Sequence, residues 1–196
     1  VLLHIGASDH DTTVWVNGHE AGRHVGGYTP ISCDITSYLR RGENNLVISA
    51  QDDTRSPWVL SGKQCPDYYS RGCHYTRTTG IWQTVWLEAV PKTYLQEVRL
   101  TPSLEGECVW IEATLGGEPS HGALHAMAQL DGFDVGQAET RFVGQHATLA
   151  LPLEAVQAWG PGHPTLYDLT LTLDTLGGHD VVQSYFGLRS VSLSDR

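Results

Sequence analysis

Short apolar or alternating segments, separated by turn residues, follow one another along nearly the whole chain. In residues 169–173, for example, leucine and threonine strictly alternate. A period of two is typical of a β-strand with one buried face, whereas an amphipathic helix repeats about every 3.6 residues. The 21 glycines and nine prolines suit the turns between such strands. The pattern therefore predicts an all-β fold.

Turn chemistry marks where some of these strands meet. Asn17-Gly18 follows an apolar segment and predicts a type I′ hairpin, because both residues tolerate positive φ angles. Asp34 can accept a backbone N–H at the start of one short helical turn, and residues 153–159 are the one other segment that can form such a turn. Strands are predicted at residues 1–5, 12–16, 46–50, 84–90, 95–101, 108–115, 123–130, 146–151, 166–173 and 181–188.

Residues 51–79 show neither the two-residue period of a strand nor the 3.6-residue period of a helix. Aspartate, serine, proline, glycine, lysine and tyrosine dominate this segment, so we expect a long loop. Structureless loops of this length are uncommon in compact domains and are often functional or disordered. Order returns at Gly80, and the boundary between the two halves of the chain is predicted near Pro91-Lys92.

Charge and hydropathy argue against two classes of partner. The chain has 12 Lys+Arg and 22 Asp+Glu, and its formal net charge of −10 argues against nucleic acid, whose phosphates need clustered cations. No run approaches the roughly 20 apolar residues that cross a bilayer, so we expect no membrane anchor. Residues 1–5 already have the pattern of a strand, so we expect the natural protein to begin earlier. Localisation is therefore left open, with the cytoplasm slightly favoured.

The sequence predicts no metal site. The four cysteines match neither paired CxxC zinc spacing nor a dense disulfide framework, so we expect free thiols. His19-Glu20 with His24 gives HExxxH, one residue more than the zinc-helix motif HExxH. His121 and His125 lie at a predicted strand, where they do not align as on a helix. The cysteines are Cys33, Cys65, Cys73 and Cys108.

Several motifs, in this order along the chain, resemble glycoside hydrolase family 2. In the first half they are VWVNGHEAGRHVGGYTPISCDITSYLRRGENNLVISAQDD and YTRTTGIWQTVWLEAV, which are similar to the family's sugar-binding jelly-roll domain. In the second half WGPGHPTLYDLTLTL resembles its immunoglobulin-like domain, and SYFGLRSVSL resembles the exit into its catalytic barrel. The family contains β-galactosidases, β-glucuronidases and β-mannosidases.

The resemblance implies two sandwiches: a galactose-binding-like jelly roll, truncated at its N-terminus, over residues 1–91, and an immunoglobulin-like domain over residues 92–196. It implies the non-catalytic N-terminal part of a retaining β-glycosidase, with the β-galactosidase type favoured, which positions a carbohydrate and supports a catalytic barrel. The catalytic Glu pair, and any Mg²⁺ or Na⁺, belong to that barrel, so we expect neither catalytic residues nor cofactors here. A homo-oligomer is also considered. The alternative is a free-standing carbohydrate-binding or interaction module.

Asp52 and Asp53 are adjacent carboxylates at the end of a predicted strand, where they can hydrogen-bond sugar hydroxyls. Neighbours on a strand point to opposite faces. The two therefore cannot act as the carboxyl pair of a retaining glycosidase, whose members stand about 5–5.5 Å apart. Loop capping is their alternative role.

The long loop combines aromatic faces with polar tips, a mixture that suits a carbohydrate site. In the resemblance, residues 61–64 are the segment expected to contact the sugar. The alternative is a solvated loop that only the barrel would order. The loop residues concerned are Arg55, Trp58, Lys63, Gln64, Tyr68, Tyr69, Arg71 and Tyr75.

His74 and Arg77 complete the candidate substrate-binding residues. His74 lies six residues before Gly80, where one branch of β-galactosidases has an Asp that touches galactose, so this chain departs from that branch. His74 is interpreted as a sugar donor, a buried hydrogen-bonded residue or an exposed one. Arg77 is interpreted as the partner of a loop carboxylate or, alternatively, as a sugar or barrel contact.

Tryptophans in strand patterns are expected to pack in the core, since strands favour aromatic residues. Trp159 and Tyr167 are expected to fix a corner of the second sandwich. The strand tryptophans are Trp15, Trp82, Trp86 and Trp110.

Overall fold

The computed structural model describes residues 1–118 and 120–192 of the chain. The chain forms two compact units, Val1–Ala89 and Val90–Arg196, and the domain boundary predicted at residues 91 and 92 stays a prediction. No helix in the described residues is long and apolar enough to cross a membrane. The strands are β1 (Leu2–Ile5), β2 (Ser8–Asp9), β3 (Asp11–Val16), β4 (His19–Val25), β5 (Ile31–Asp34), β6 (Leu46–Gln51), β7 (Gly80–Ile81), β8 (Val85–Glu88), β9 (Thr93–Ser103), β10 (Cys108–Gly117), β11 (Ser120–Leu130), β12 (Phe133–Gly144), β13 (His146–Pro152), β14 (Tyr167–Thr175) and β15 (Gly178–Phe186).

The first unit packs two three-stranded sheets around a small core. Their strand orders are β5-β1-β8 and β4-β3-β6, and a short pair, β2-β7, stands beside them. Alternate residues of β1 and β3 face inward, so Leu3, Ile5 and Val14 are at most 1% exposed. The core-facing side of β8 is less covered: Leu87 lies opposite Leu3 in the register yet is 61% exposed.

The hairpin predicted at Asn17-Gly18 is confirmed. These residues join β3 to β4 with φ angles of 52° and 85°, as a type I′ turn requires. The Asn17 amide also bonds the Tyr38 carbonyl at 2.9 Å and accepts the Asn45 N–H at 3.0 Å. The short turn predicted after Asp34 is a 3₁₀ turn, Thr36–Tyr38, whose first N–H bonds the Asp34 carboxylate.

The second unit is a sandwich of a three-stranded and a four-stranded sheet, ordered β13-β10-β9 and β12-β11-β14-β15. The alternation of residues 169–173 places Leu169, Leu171 and Leu173 in its core, at most 1% exposed. The sequence did not predict β12, whose register with β11 shifts between Ala128 and Gln129. No helix forms at residues 153–159, where the prediction was wrong. There Leu153 and Glu154 donate backbone bonds to Glu107 and Val135 instead.

The core prediction for the strand tryptophans was wrong for Trp82, Trp86 and Trp110. These residues are 52%, 45% and 49% exposed; Trp82 follows the end of β7, whereas Trp86 and Trp110 lie within β8 and β10. The free-thiol prediction is confirmed for all four cysteines, of which Cys73 is exposed. The last residue of the predicted exit segment, Leu193, lies outside the described residues.

Tyr167 fixes a corner of the second sandwich, as predicted. Its ring is fully buried and stacks on Phe186, with centroids 5.0 Å apart and planes 4° from parallel. Its hydroxyl accepts the Gln157 N–H at 2.6 Å and donates to the Ala155 carbonyl at 2.9 Å. One side chain thus satisfies two backbone groups of an irregular segment, as buried polar groups require.

Tyr167→Phe should lower the free energy of unfolding by about 1–3 kcal/mol, because it leaves the Gln157 N–H without its acceptor while keeping the stacked ring. Urea unfolding would measure the loss. Tyr185→Phe is the matched control, since Tyr185 is 66% exposed on neighbouring β15. Equal stability of the two variants would contradict this role of the Tyr167 hydroxyl.

Candidate functional site

A cavity of about 150 Å³ opens in the first unit. The β2-β7 pair frames it, because β2 ends at Asp9 and Trp82 directly follows β7. The segment after β4 contributes Tyr28, and the long loop contributes the rest. We call this cavity the Asp9 pocket. Its lining residues are Asp9, Tyr28, Gln64, Tyr75, Thr78 and Trp82.

Asp9 is the charged group of the Asp9 pocket and is only 5% exposed. Its Oδ2 accepts a hydrogen bond from Gln64 Nε2 at 3.0 Å. Its Oδ1 is buried and has no hydrogen-bond partner in the described part of the chain. Gly27 lies directly against that carboxylate, since a Cβ atom there would collide with Asp9 Oδ1. A buried carboxylate oxygen with no donor is costly, so this oxygen is suited to a ligand that brings one.

Gln64 ties the long loop to the sandwich. Its Oε1 accepts the Thr78 N–H at 2.8 Å, while its Nε2 donates to Asp9. The backbone around it pairs with Tyr75: Cys65 N–H bonds the Tyr75 carbonyl at 2.8 Å, and Tyr75 N–H bonds the Lys63 carbonyl at 3.0 Å. The loop is therefore anchored at its middle and near its end.

Aromatic side chains form the wall of the Asp9 pocket. Trp82 Nε1 donates to the Gly27 carbonyl at 2.8 Å, and the Tyr28 ring meets the indole edge-on at 6.0 Å. Desolvation raises the pKa of the Tyr28 hydroxyl above its ordinary value of 10.0, and the nearby Tyr75 and Asp9 oxygens add to the rise. Tyr28 therefore stays protonated at neutral pH and is available as a donor.

Asp52 and Asp53 have different surroundings. Asp52 Oδ2 accepts a bond from Thr79 Oγ1 at 3.3 Å, whereas its Oδ1 is buried without a partner in the described residues. Burial raises the pKa of the Asp52 carboxyl, and the charge of Asp9 adds to the rise. Asp53 is exposed and caps a turn, because it accepts the Arg55 N–H at 3.3 Å. The loop-capping alternative thus describes Asp53.

Four of the other predicted residues lie away from the Asp9 pocket. Trp58 is 93% exposed, and Lys63 and His74 are exposed as well. Arg77 is partly buried and holds the loop together, since its guanidinium donates to the carbonyls of Cys65 and Asp67. Of the seven candidates, Gln64 alone lines the pocket.

Sequence reasoning missed Asp9, Tyr28 and the exposed position of Trp82. The available signal was Gly26-Gly27 directly before Tyr28, because paired glycines mark a close backbone approach. Asp9 carries no such signal: it is a single acidic residue between short strands. Its partner Gln64 is 55 positions away, and only the fold joins them.

The geometry of the Asp9 pocket suits binding. It brings together the Asp9 carboxylate, with its unpaired Oδ1, a phenolic donor at Tyr28 and the apolar ring of Trp82. Asp9 is the one acidic residue among the described residues that line it, whereas glycoside hydrolysis needs two carboxyl groups across the scissile bond. In the described residues, no group of three or more His, Cys, Asp or Glu side chains is arranged to hold a metal ion.

Two family models match the chain. The model of the glycosyl hydrolases family 2 sugar binding domain matches residues 1–91, and a further model described as glycosyl hydrolases family 2 matches residues 93–189. The chain belongs to glycoside hydrolase family 2. The predicted jelly-roll and immunoglobulin-like folds are confirmed with it.

Similar proteins carry galactosidase and glucuronidase names. A protein of Formosa agariphila, provisionally named a β-glucuronidase, is 30% identical over 94% of this chain and 22% of its own length. A β-galactosidase of Clostridium acetobutylicum is 25% identical over 93% of this chain and 20% of its own length. A solved family 2 member from Bacteroides cellulosilyticus shares the fold, with a TM-score of 0.75 at 18% identity over 97% of this chain and 26% of its own. This family 2 chain therefore spans between a fifth and about a quarter of these relatives' lengths.

Asp52→Asn should raise the melting temperature at neutral pH. A carboxyl whose folded pKa lies above its ordinary value of 3.8 holds its proton more tightly when folded, so the wild type loses stability as the pH rises above that value. Asparagine removes the charge and keeps an acceptor for Thr79. The advantage should shrink as the pH falls through the raised pKa of the Asp52 carboxyl, because the wild-type side chain is then protonated and neutral as well. Thermal melts from neutral to acidic pH measure this effect, with Asp53→Asn as the control. An Asp52→Asn variant that gains no stability at neutral pH would contradict the prediction.

Gly27→Ala should destabilise the chain by about 1–3 kcal/mol, because the new methyl group collides with the Asp9 carboxylate and the site is overpacked. Gly160→Ala is the matched control, since a Cβ atom there has no neighbour within 4 Å among the described residues. Chemical unfolding of both variants checks the prediction. It fails if Gly27→Ala is as stable as Gly160→Ala.

Proposed function

We propose that this chain is the non-catalytic N-terminal part of a larger retaining β-glycosidase, and that its Asp9 pocket holds one sugar of the substrate. The observation that carries the proposal is Asp9, which lines the pocket and whose buried Oδ1 has no hydrogen-bond partner in the described part of the chain. A sugar hydroxyl is a neutral donor that can satisfy such an oxygen, and hydrogen bonds to charged groups are stronger than those between neutral groups.

The rest of the pocket supports a single sugar ring as the ligand. Its volume of about 150 Å³ is below the roughly 300–1,000 Å³ of pockets for drug-sized ligands, which leaves room for a small ring. The Trp82 indole offers an apolar face for the C–H side of a pyranose, and the hydroxyls of Tyr28 and Tyr75 can reach its oxygens.

The charge of the pocket favours a neutral hexose and hence the β-galactosidase type. No lysine or arginine is among the described residues that line it, and Asp9 would repel the carboxylate of a uronic acid. The names of the relatives include both galactosidases and glucuronidases. The pocket chemistry is therefore our reason for favouring the former.

The catalytic carboxyl pair belongs, in this proposal, to a barrel domain of the same protein, as does any Mg²⁺ or Na⁺. The relatives are about four to five times longer than the matched region, which leaves room for such a domain. In the complete enzyme we place the exposed loop residues Trp58, Lys63 and His74 at the barrel or substrate, and Asp52 and Asp53 beside them. Gln64 and Arg77 position the loop. Assembly of the enzyme into a homo-oligomer is part of the same proposal.

Asp9→Asn should weaken the binding of methyl β-galactoside about tenfold, because the amide keeps an oxygen for Gln64 but turns a donor toward the ligand. Titration calorimetry on the folded chain measures this change. Asp168→Asn serves as the control, since Asp168 is exposed and lies in the second unit. Equal affinities of Asp9→Asn and wild type, or tighter binding of glucuronic acid than of methyl β-galactoside, would contradict the proposed site or its specificity.

The wild-type chain should not release nitrophenol from nitrophenyl β-galactoside at the rate of a complete glycosidase, because its pocket holds one carboxyl group. An absorbance assay measures the release. Turnover at the rate of a complete enzyme would overturn the non-catalytic role while leaving the sugar site intact.

A further inference from the structure

A second concavity lies next to the Asp9 pocket in the first unit. It is a shallow groove of about 730 Å³, and Trp82 lines it as well as the pocket. We call it the Trp86 groove. Its lining residues are Gly6, Ile81, Trp82, Gln83, Thr84 and Trp86. The two concavities therefore share one indole ring.

The Trp86 ring is held in place on one side and exposed elsewhere. It stacks on His4, with centroids 4.8 Å apart and planes 18° from parallel, and its side chain is 45% exposed. His4 is itself fixed across the sheet, because its Nε2 lies 2.8 Å from Glu88 Oε2 and its Nδ1 lies 3.1 Å from Ser32 Oγ. The indole is thus oriented before any ligand binds, which lowers the entropy cost of binding.

The remaining surface of the groove is polar but uncharged. The Gly6 N–H donates to the Thr84 carbonyl at 2.8 Å. Glycine at this position also makes room for Gln83, whose Cβ would lie 2.8 Å from a Cβ atom on residue 6. The Gln83 amide and the Thr84 hydroxyl supply donors and acceptors. None of the six described lining residues carries a charge. Two indole rings with neutral polar tips match the alternating C–H and hydroxyl faces of a pyranose chain.

We propose that the Trp86 groove is a second carbohydrate subsite, which continues the Asp9 pocket across Trp82 and binds the next units of a neutral β-linked oligosaccharide. The proposal rests on the proposed function of the Asp9 pocket. The pocket has room for one ring, whereas the groove is about five times larger. The ligand of this protein is therefore an oligosaccharide of two or more units, and the contact with Trp86 makes the affinity depend on the length of the oligosaccharide.

Calorimetric titration with galactose and with β-1,4-linked galactobiose, galactotriose and galactotetraose tests this. The wild type should bind galactotriose about tenfold more tightly than galactose, since one added aromatic contact is worth about that factor. Trp86→Ala should remove the gain and leave the affinity for galactose unchanged. Gln83→Ala should reduce the gain independently, without touching the stacked ring. Trp110→Ala is the matched control, because Trp110 is 49% exposed and lies in the second unit.

The outcomes separate the two sites. Equal affinities of the wild type for galactose and galactotriose overturn the groove and leave the Asp9 pocket standing. A third outcome is that the wild type binds the oligomers but not galactose, and that Trp86→Ala abolishes this binding while Asp9→Asn does not affect it. That outcome supports the groove and overturns the pocket. Loss of the gain in Trp110→Ala overturns the groove, as does a Trp86→Ala variant that binds every probe like the wild type. Failure of the wild type to bind any probe overturns both sites.

Discussion

The hydrogen bond between Gln64 and Asp9 is the contact on which the candidate site depends. It joins the middle of a long loop to a short strand 55 positions earlier, and both side chains are buried. A buried carboxylate is tolerated only when donors surround it, and here one oxygen is satisfied while the other is buried without a partner among the described residues. The same bond therefore orders the loop and leaves one acceptor in place for a ligand. Arg77 and the Gln64–Tyr75 bridge then keep the loop in the shape that this bond requires.

The fold was largely predictable from the sequence, because local patterns carry it. Alternation in residues 169–173 and the Asn17-Gly18 turn each predicted a feature that the structure contains. The strand β12 escaped prediction, since its apolar residues do not strictly alternate with polar ones and its register shifts partway along. The tryptophans were misplaced for a related reason: strand propensity predicts a strand but not which of its faces is buried. Trp86 and Trp110 lie in strands and are nevertheless about half exposed, because burial depends on what packs against each face.

The candidate site was less predictable than the fold. Composition indicated a carbohydrate-binding loop, and Gln64 and Tyr75 are residues of that loop which line the pocket and were singled out in advance. Asp9 and Tyr28 come from other segments, and their approach depends on Gly27 lying against a carboxylate. Such convergence of distant segments has no local signature. Exposed residues such as Trp58 and His74 have the right chemistry, but among the described residues no side-chain hydrogen bond reveals their role.

The two units differ in how much apolar packing they contain. In the described residues the core of the first unit has seven buried members, whereas that of the second has twenty-one. The first unit therefore relies more on polar ties and glycine contacts, and the Asp9 pocket and the Trp86 groove lie in this unit. Trp82 lines both the pocket and the groove. A sugar unit that immobilises this ring in one of them reduces the conformational entropy that is lost when the next unit binds in the other. Successive residues of a glycan would then bind cooperatively through a single shared side chain, without any shift of the backbone.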